Sequence, residues 1–182
     1  MVPFVTSKIV NITCMILTTI AGLGFLVWND ISEKIKEGIR YRYSFFKIIQ
    51  KLSLHTKIVL IMHLILFTFG MLIFFIFEYY NPATIANFSL TDKLLISAFH
   101  SVAARTSGFA SVNLASLTDM TKLVMIFLML IGAGSGSMAG GIKTTTVFVI
   151  IVGVYANILG KKNINAFKRT IATETFFKAV SV

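Results

Sequence analysis

The sequence has little charge, a single cysteine and two prolines. Charged residues make up 13% of the 182 residues, about half the share of an ordinary soluble domain, so a water-facing globule is excluded. Cys14 has no second cysteine to pair with, which excludes a disulfide within the chain. The net charge of +10 does not indicate a nucleic-acid partner, because a chain with 56% hydrophobic residues has little exposed basic surface to offer.

Metal binding and catalysis are not predicted either. The three histidines, His55, His63 and His100, are widely spaced, and no acid or cysteine accompanies them in a ligand cluster. No Ser/His/Asp triad or pair of carboxylates is visible, so we predict no enzyme activity. His63 is expected to form a hydrogen bond inside a helix bundle.

Three apolar runs are long enough to cross a bilayer, which takes about 20 residues. Residues 9–28 and 58–77 fit one span each, and the length of the first run favours a span over a secretory signal. The third run, residues 123–159, contains Lys143 as its only charge. Five glycines among residues 132–141 predict a break or a re-entrant turn in this run. The sequence therefore predicts an all-α membrane protein with three spans.

The distribution of basic residues predicts which side of the membrane each segment faces. Twelve of the 17 lysines and arginines lie between residues 34 and 57 or after residue 160. Residues 78–122 are balanced, with three cations and three acids. We expect segments 31–57 and 160–182 to be cytoplasmic and the balanced loop to be outside. The basic segment is either a topology signal alone or a docking surface as well.

The outer loop is too long and too apolar for an ordinary solvated connection. Residues 94–104 predict about three helical turns, too short to span, and the turn Arg105-Thr106-Ser107-Gly108-Phe109 follows them. A short helix and a glycine turn between two spans are typical of a pore loop, in which backbone carbonyls replace the hydration shell of a cation. The same pattern also fits an interfacial helix that only packs.

Two motifs make the chain similar to a known family. The segment 104–109, followed by the glycine-rich segment 134–146, resembles the Trk/Ktr/HKT superfamily of potassium transporters, closest to the pore-forming subunit of bacterial Ktr-type uptake systems. Members of this superfamily carry four helix–pore loop–helix units with a K⁺-channel-like fold. The resemblance implies a transmembrane helix of the second unit at 1–30, a basic cytoplasmic loop at 31–57, a complete third unit at 58–159, and a cytoplasmic segment with the start of the next unit at 160–182. Within the third unit it implies a transmembrane helix at 58–78, a pore helix and filter at 91–110, and a broken transmembrane helix at 122–159.

The resemblance also implies which residues contact the ion and which gate the pore. The filter residues, whose carbonyls would face K⁺, are Thr106, Ser107 and Gly108. The gating-loop residues are Gly134, Gly136, Gly140, Gly141 and Lys143. Three residues depart from the family pattern: Ser107, where alanine or threonine is common, Ala133, where glycine is frequent, and Gly136, where proline is frequent. The missing proline is expected to alter the stiffness of the loop.

Ligand and partners follow from the same resemblance. The transported ion would be K⁺, with no cofactor, and the flow would be passive or coupled to Na⁺ or H⁺. The implied partners are the lipid bilayer of a bacterial plasma membrane, the remaining pore units, a second copy in a full-length homodimer, and a cytoplasmic nucleotide-binding ring.

Several features keep an alternative interpretation. Residues 134–139 fit G-x-G-x-x-A, but no acid follows about 20 residues later, so nucleotide binding is not predicted, whereas close helix packing is the alternative to gating. Lys143 either acts within the membrane or reaches its cytoplasmic interface. Arg105 is expected to brace the loop against an acid such as Glu78 or Asp119. The chain is either part of a conducting pore or a truncated membrane scaffold without transport.

Overall fold

The computed structural model describes residues 5–137, 139–160, 164–167 and 169–181. Its helices in chain order are α1 (Lys8–Leu23), α2 (Phe25–Arg40), α3 (Phe45–Lys51), α4 (Leu54–Glu78), α5 (Leu90–Thr106), α6 (Asp119–Leu130), α7 (Thr144–Ile158) and α8 (Thr173–Val180). A 3₁₀ turn, Leu114–Ser116, precedes α6, and an antiparallel hairpin of β1 (Ile164–Ala166) and β2 (Arg169–Ile171) precedes α8. The predicted all-α class is therefore confirmed. Four residues used in the motifs and charge pattern lie outside the described ranges: Met138, Lys161, Lys162 and Lys168.

Helix α4 is the longest helix, with 25 residues. At about 1.5 Å per residue it is long enough for a hydrocarbon core of about 30 Å. Its start is capped by Ser53, whose Oγ accepts from the N–H of Thr56 at 3.2 Å. Asp30 of α2 binds the same helix end, because its Oδ2 accepts from the N–H of Ser53 at 2.9 Å and from the hydroxyl of Thr56. The base of α4 is thus tied to α2.

By length and composition, α4 is the one helix in the described ranges that could cross a membrane alone. Helices α1 and α2 meet the same criterion only as a pair, bent by 91°. Helix α7 is apolar but shorter, with 15 residues. Three separate spans, as the sequence predicted, are therefore not all present as single long helices.

The apolar run 9–28 is divided into two helices, where the sequence predicted one. The break is at Gly24, whose φ of 86° lies in a region that residues with a side chain rarely adopt. Close beyond the break, the indole N–H of Trp28 donates to the carbonyl oxygen of Ile20 at 2.9 Å. This bond satisfies a carbonyl in the last turn of α1, where intrahelical donors run out.

The basic segment 31–57 is mostly helical rather than a loop. Helix α2 continues to Arg40, and α3 begins five residues later at Phe45. Glu37 joins the two helices, since its carboxylate accepts from the Nζ of Lys51 at 2.6 Å and from the Nζ of Lys34 at 2.9 Å. These two bonds lower the pKa of Glu37 to about 2.

Helix α5 packs along α4, and α6 closes against both. Gly70 of α4 allows the close approach, because a Cβ there would lie 2.6 Å from the Oγ of Ser101 and 2.8 Å from the Cδ1 of Leu128. The hydroxyl of Ser101 donates to the carbonyl of Phe67 at 2.7 Å across the α4–α5 contact. Two of the four buried apolar clusters among the described residues lie at these helices. One consists of Phe74, Ile85, Ile96, Val112 and Leu117. The other consists of Leu66, Ala104, Leu128 and Ile131.

Large apolar side chains are exposed along the outside of the helices. The most exposed on each of four helices are Ile9 (81%), Leu64 (65%), Ile126 (68%) and Ile158 (77%). Extended apolar surface of this kind marks contact with a membrane or with further protein.

Candidate functional site

The turn that follows α5 is held by backbone hydrogen bonds. The N–H groups of Ser107 and Gly108 both donate to the carbonyl oxygen of Ala103, at 3.2 and 3.1 Å. Gly108 has a φ of 65°, the left-handed conformation in which glycine commonly ends a helix. The predicted filter residues therefore lie directly at the C-terminal end of a short buried helix.

The carbonyl groups of this turn are available to a ligand. Within the part of the chain that the structure describes, no hydrogen bond reaches the carbonyl oxygens of Ser107 or Gly108. A Cβ on Gly108 would meet no atom of the described residues within 4 Å. The C-terminal end of α5 carries a partial negative charge, so an open group of carbonyls here suits a cation better than an anion.

A cavity of about 300 Å³ lies beside the turn. Gly108 lines it together with Gly140 and Gly141, so the structure brings one predicted filter residue and two predicted gating residues to the same cavity. Ser107 is not among its described lining residues. The rest of the wall is mostly apolar and includes Phe109, Leu114, Met125 and Met129.

The glycine-rich segment 131–143 forms a loop between α6 and α7, where the sequence predicted a break. Its two ends are joined by backbone hydrogen bonds: Ile142 N–H to the Leu130 carbonyl and Gly132 N–H to the Ile142 carbonyl, both at 3.0 Å. The N–H of Thr144, the first residue of α7, donates to the carbonyl of Ala133 at 3.2 Å. Main-chain hydrogen bonds therefore hold the two ends of the loop together.

Lys143 points back onto this loop. Its Nζ donates to the carbonyl oxygen of Ala139 at 2.7 Å, and the side chain is half-buried. The bond ties the side chain to the loop, and both interpretations of Lys143, a role within the membrane and a position at its interface, stay open.

The loop also rests on the break between α1 and α2. The N–H of Gly134 donates to the carbonyl of Gly22 at 3.0 Å, and the N–H of Phe25 donates to the carbonyl of Gly136 at 3.2 Å. Sequence reasoning did not identify the residues around the break as part of the site. The available signal was the pair Gly22 and Gly24 inside an otherwise apolar run, since an isolated glycine in such a run often allows close backbone approach.

Arg105 lies between two cavities and is almost completely buried, with 5% of its surface exposed. Its Nε donates to the carbonyl of Ser101 at 3.4 Å, and its Nη1 has no partner among the described residues. The expected brace to an acid is wrong for both candidates, because Asp119 pairs with Lys122 at 3.3 Å and the carboxylate of Glu78 is bound elsewhere.

His63 of α4 shares the second of these cavities, of about 280 Å³, with Arg105. Its Nδ1 is buried and has no partner in the described part of the chain, so the hydrogen bond expected inside the bundle is not formed at that nitrogen.

Glu78 is the fully buried acid at the end of α4. Its Oε1 accepts from the N–H of Thr118 at 2.9 Å and from the hydroxyl of Thr118 at 2.8 Å. Its Oε2 accepts from Nδ2 of Asn81 and from the hydroxyl of Thr84, both at 2.7 Å. The carboxylate therefore joins the end of α4 to the start of α6 and closes the segment that contains α5.

The TrkH family, described as a cation transport protein, matches residues 1–182. The chain belongs to the TrkH family. It is 36% identical over 182 residues to Ktr system potassium uptake protein B of Vibrio alginolyticus, which covers all of this chain and 38% of the relative. It is 38% identical over 179 residues to the protein of the same name from Bacillus subtilis, which covers 98% of this chain and 38% of the relative. It is 33% identical over 161 residues to potassium/sodium uptake protein NtpJ of Enterococcus hirae, with 88% of this chain and 33% of the relative covered.

Membership of the TrkH family assigns the chain to the cation transporters of membranes and not to the enzymes. The chain spans 38% of the length of the first two relatives. The resemblance stated from the two sequence motifs is thereby confirmed at the level of the family.

Proposed function

We propose that the chain is part of the pore-forming subunit of a potassium uptake transporter. In this proposal K⁺ passes through a ring of backbone carbonyls to which the chain contributes Thr106, Ser107 and Gly108. The observation that carries the proposal is the turn at Gly108, with its unpaired carbonyls at the end of α5 and its open side beside a cavity of about 300 Å³. Three relatives named as potassium or potassium/sodium uptake proteins support the choice of ion.

The chemistry of the turn explains how a ring of carbonyls would let a cation pass. A cation that enters a narrow pore loses hydration water, and carbonyl oxygens replace it without binding so tightly that the ion stays. The partial negative charge at the end of α5 adds to the attraction. One turn is one segment of the ring, so the remaining pore units complete it.

The glycine-rich loop 131–143 would gate this pore. Gly140 and Gly141 share the cavity with Gly108, so a shift of the loop changes the space below the filter. Lys143 would help to hold the loop closed through its bond to the Ala139 carbonyl. Its positive charge would also repel cations when the loop is closed.

The arrangement in the membrane is part of the same proposal. The chain would cross a bacterial plasma membrane several times, with α2, α3 and residues 160–182 on the cytoplasmic side, as the distribution of lysine and arginine favours. The basic α2–α3 surface would then face a cytoplasmic nucleotide-binding ring, and the full-length subunit would form a homodimer. Coupling to Na⁺ or H⁺ is compatible with this arrangement.

Replacing Gly108 by alanine in the complete transporter tests the filter. We expect K⁺ uptake by a K⁺-uptake-deficient strain to fall about tenfold or more, since losing about 1.4 kcal/mol of stabilisation of the passing ion has that effect on a rate. Discrimination between K⁺ and Na⁺ should fall with it, because both depend on the same carbonyls.

Gly160→Ala is the matched control. Gly160 has a φ of 64° against 65° for Gly108, and among the described residues no atom lies within 4 Å of a Cβ at either position. The two substitutions therefore impose a similar backbone cost and differ in place alone. Equal uptake and equal selectivity of the two variants, at equal amounts in the membrane, would contradict the filter assignment.

A further inference from the structure

The break between α1 and α2 contacts the gating loop from both sides. Gly22 lies in the last turn of α1 and accepts from the N–H of Gly134, whereas Phe25 is the first residue of α2 and donates to the carbonyl of Gly136. The first N–H groups of a helix have no partner within the helix. The carbonyl of Gly136 therefore accepts from one of the free N–H groups at the start of α2. Each of the two helices forms one main-chain hydrogen bond to the loop.

The contact leaves no room for a side chain at Gly24 or Gly134. A Cβ on Gly24 would lie 2.7 Å from the carbonyl oxygen of Ser135 and 3.0 Å from the N of Ser137, and a Cβ on Gly134 would lie 2.5 Å from the carbonyl oxygen of Leu23. All three obstructing atoms belong to the main chain, so they move only if the loop or the helix end moves. A side chain at either position would therefore push the loop away from the break.

We propose that Gly24 and Gly134 are positioning residues that latch the gating loop to the start of α2, so that the orientation of α2 sets the position of the loop. The inference rests on the proposed gating role of the loop and adds the element that controls it. The latch comprises the two glycines and the two hydrogen bonds of Gly134 and Phe25.

Helix α2 is suited to transmit a displacement. Its 16 residues form a rod of about 24 Å that leaves α1 at 91°. The far end carries the ion pairs of Glu37 with Lys34 and Lys51, where a cytoplasmic partner with an acidic surface would bind. At the near end, the N–H of Phe25 donates to the carbonyl of Gly136. Asp30, in the second turn of α2, binds the start of α4, so a force at the basic end would tilt α2 about that point and move the loop.

The first test compares Gly24→Ala with Gly160→Ala in the complete transporter. Both glycines have positive φ, but only at Gly24 do main-chain atoms lie within 3.0 Å of the position that the new methyl group would take. We expect Gly24→Ala to change the maximal rate of K⁺ uptake by about 2- to 30-fold, the range for coupling between sites. The KM for K⁺ and the K⁺/Na⁺ selectivity should stay as in the wild type, because the filter is untouched.

The second test does not depend on transport. A Cβ at Gly136 would lie 3.3 Å from the Cγ of Leu26. Cysteines at these two positions would therefore be near enough to form a disulfide, in which the two Cβ atoms lie about 3.5–4.5 Å apart. In a Cys14→Ser background, the pair Leu26→Cys and Gly136→Cys should form a disulfide on addition of an oxidant, detectable by mass spectrometry. Uptake should fall on oxidation and return with a reductant, whereas the uptake of each single-cysteine variant should not change when the oxidant is added.

The two tests separate failure of the latch from failure of the proposed function. Absence of K⁺ uptake by the wild-type transporter would overturn the proposed function, and the disulfide would still show whether α2 and the loop are in contact. With an active wild type, a maximal rate unchanged in Gly24→Ala would overturn the latch. Failure of the disulfide to form, or uptake indifferent to its formation, would overturn it as well.

Discussion

Replacing Glu78 by glutamine tests whether one buried carboxylate holds the ends of the outer segment together. The side chain has 0% exposure and receives four hydrogen bonds. Thr118, which supplies two of them, precedes α6 and lies 40 residues from Glu78 in the chain. The carboxylate therefore ties together the two ends of the segment between α4 and α6, which contains α5 and the turn at Gly108.

The magnitude follows from the donors. A glutamine has the shape of the glutamate, but its NH₂ end donates, and it must face either the N–H of Thr118 or the Nδ2 of Asn81, neither of which accepts. The hydroxyl groups of Thr118 and Thr84 can rotate to accept, so one bond is lost and the other three become neutral bonds. Bonds to charged groups contribute about 1.5–3 kcal/mol each and are roughly twice as strong as neutral ones. Part of this loss is offset, because a neutral amide avoids the cost of burying a charged carboxylate. We therefore expect the free energy of unfolding to fall by about 2–4 kcal/mol.

Thermal unfolding of the purified transporter in detergent measures this loss. A loss of 2 kcal/mol lowers Tm by about 4 °C or more in a unit of this size. Asp119→Asn is the matched control, because it removes a neighbouring carboxylate whose side chain is fully exposed, and such surface changes cost about 0.5 kcal/mol or less. If Glu78→Gln and Asp119→Asn unfold at the same temperature, the carboxylate does not hold the segment together.

Lys143→Gln should raise K⁺ flux through the complete transporter by roughly tenfold, the effect of about 1.4 kcal/mol on a rate, because the charge bound to the Ala139 carbonyl is removed from the loop; a radiotracer flux assay measures this. The α2–α3 contact should weaken in acid: the pKa of Glu37 falls from 4.5 to about 2 on folding. Its ion pairs with Lys34 and Lys51 therefore contribute fully above pH 4.5 and are lost as the pH falls through about 2, which hydrogen exchange along α3 detects. The chain expressed alone should not restore growth of a K⁺-uptake-deficient strain at low K⁺, because one filter segment does not close a ring of carbonyls.

Different outcomes would contradict these three predictions. Unchanged flux and unchanged gating in Lys143→Gln would remove that residue from the gate. Exchange along α3 that responds to acid equally in the wild type and in Glu37→Gln would show that another group is responsible. Growth on low K⁺ with the chain alone would show that it conducts without further pore units.

Local signals were sufficient for much of the fold. The apolar run 58–77, interrupted only by His63, predicted α4, because a helix satisfies the main chain of such a segment within the segment itself. The glycines of 132–141 predicted the end of α6, and Gly108 predicted the end of α5, because glycine adopts backbone angles that interrupt a helix at little cost. In each case the residues that give the signal belong to the helix or the turn that they predict.

Contacts between distant segments were beyond the same signals. The brace expected between Arg105 and Glu78 was a pairing by charge alone, whereas Glu78 is bound by hydroxyl and main-chain donors of Thr118, Thr84 and Asn81. A formal charge suggests an ion pair, but any group of donors that the fold gathers can satisfy a carboxylate equally well. Which donors are gathered depends on how α4 and α6 approach each other.

The amino-acid sequence was enough to predict a helical membrane chain of a cation transporter family and the turn that carries the candidate filter. Composition, run length and two short motifs sufficed, because each acts over a few neighbouring residues. The folded chain was needed to show that the run 9–28 bends at Gly24, that the loop 131–143 rests on this bend, and that Gly108 shares a cavity with Gly140 and Gly141. The bonds between the bend and the loop join main-chain atoms, which every residue type carries, so Gly22 and Gly24 indicate a close backbone approach without identifying its partner.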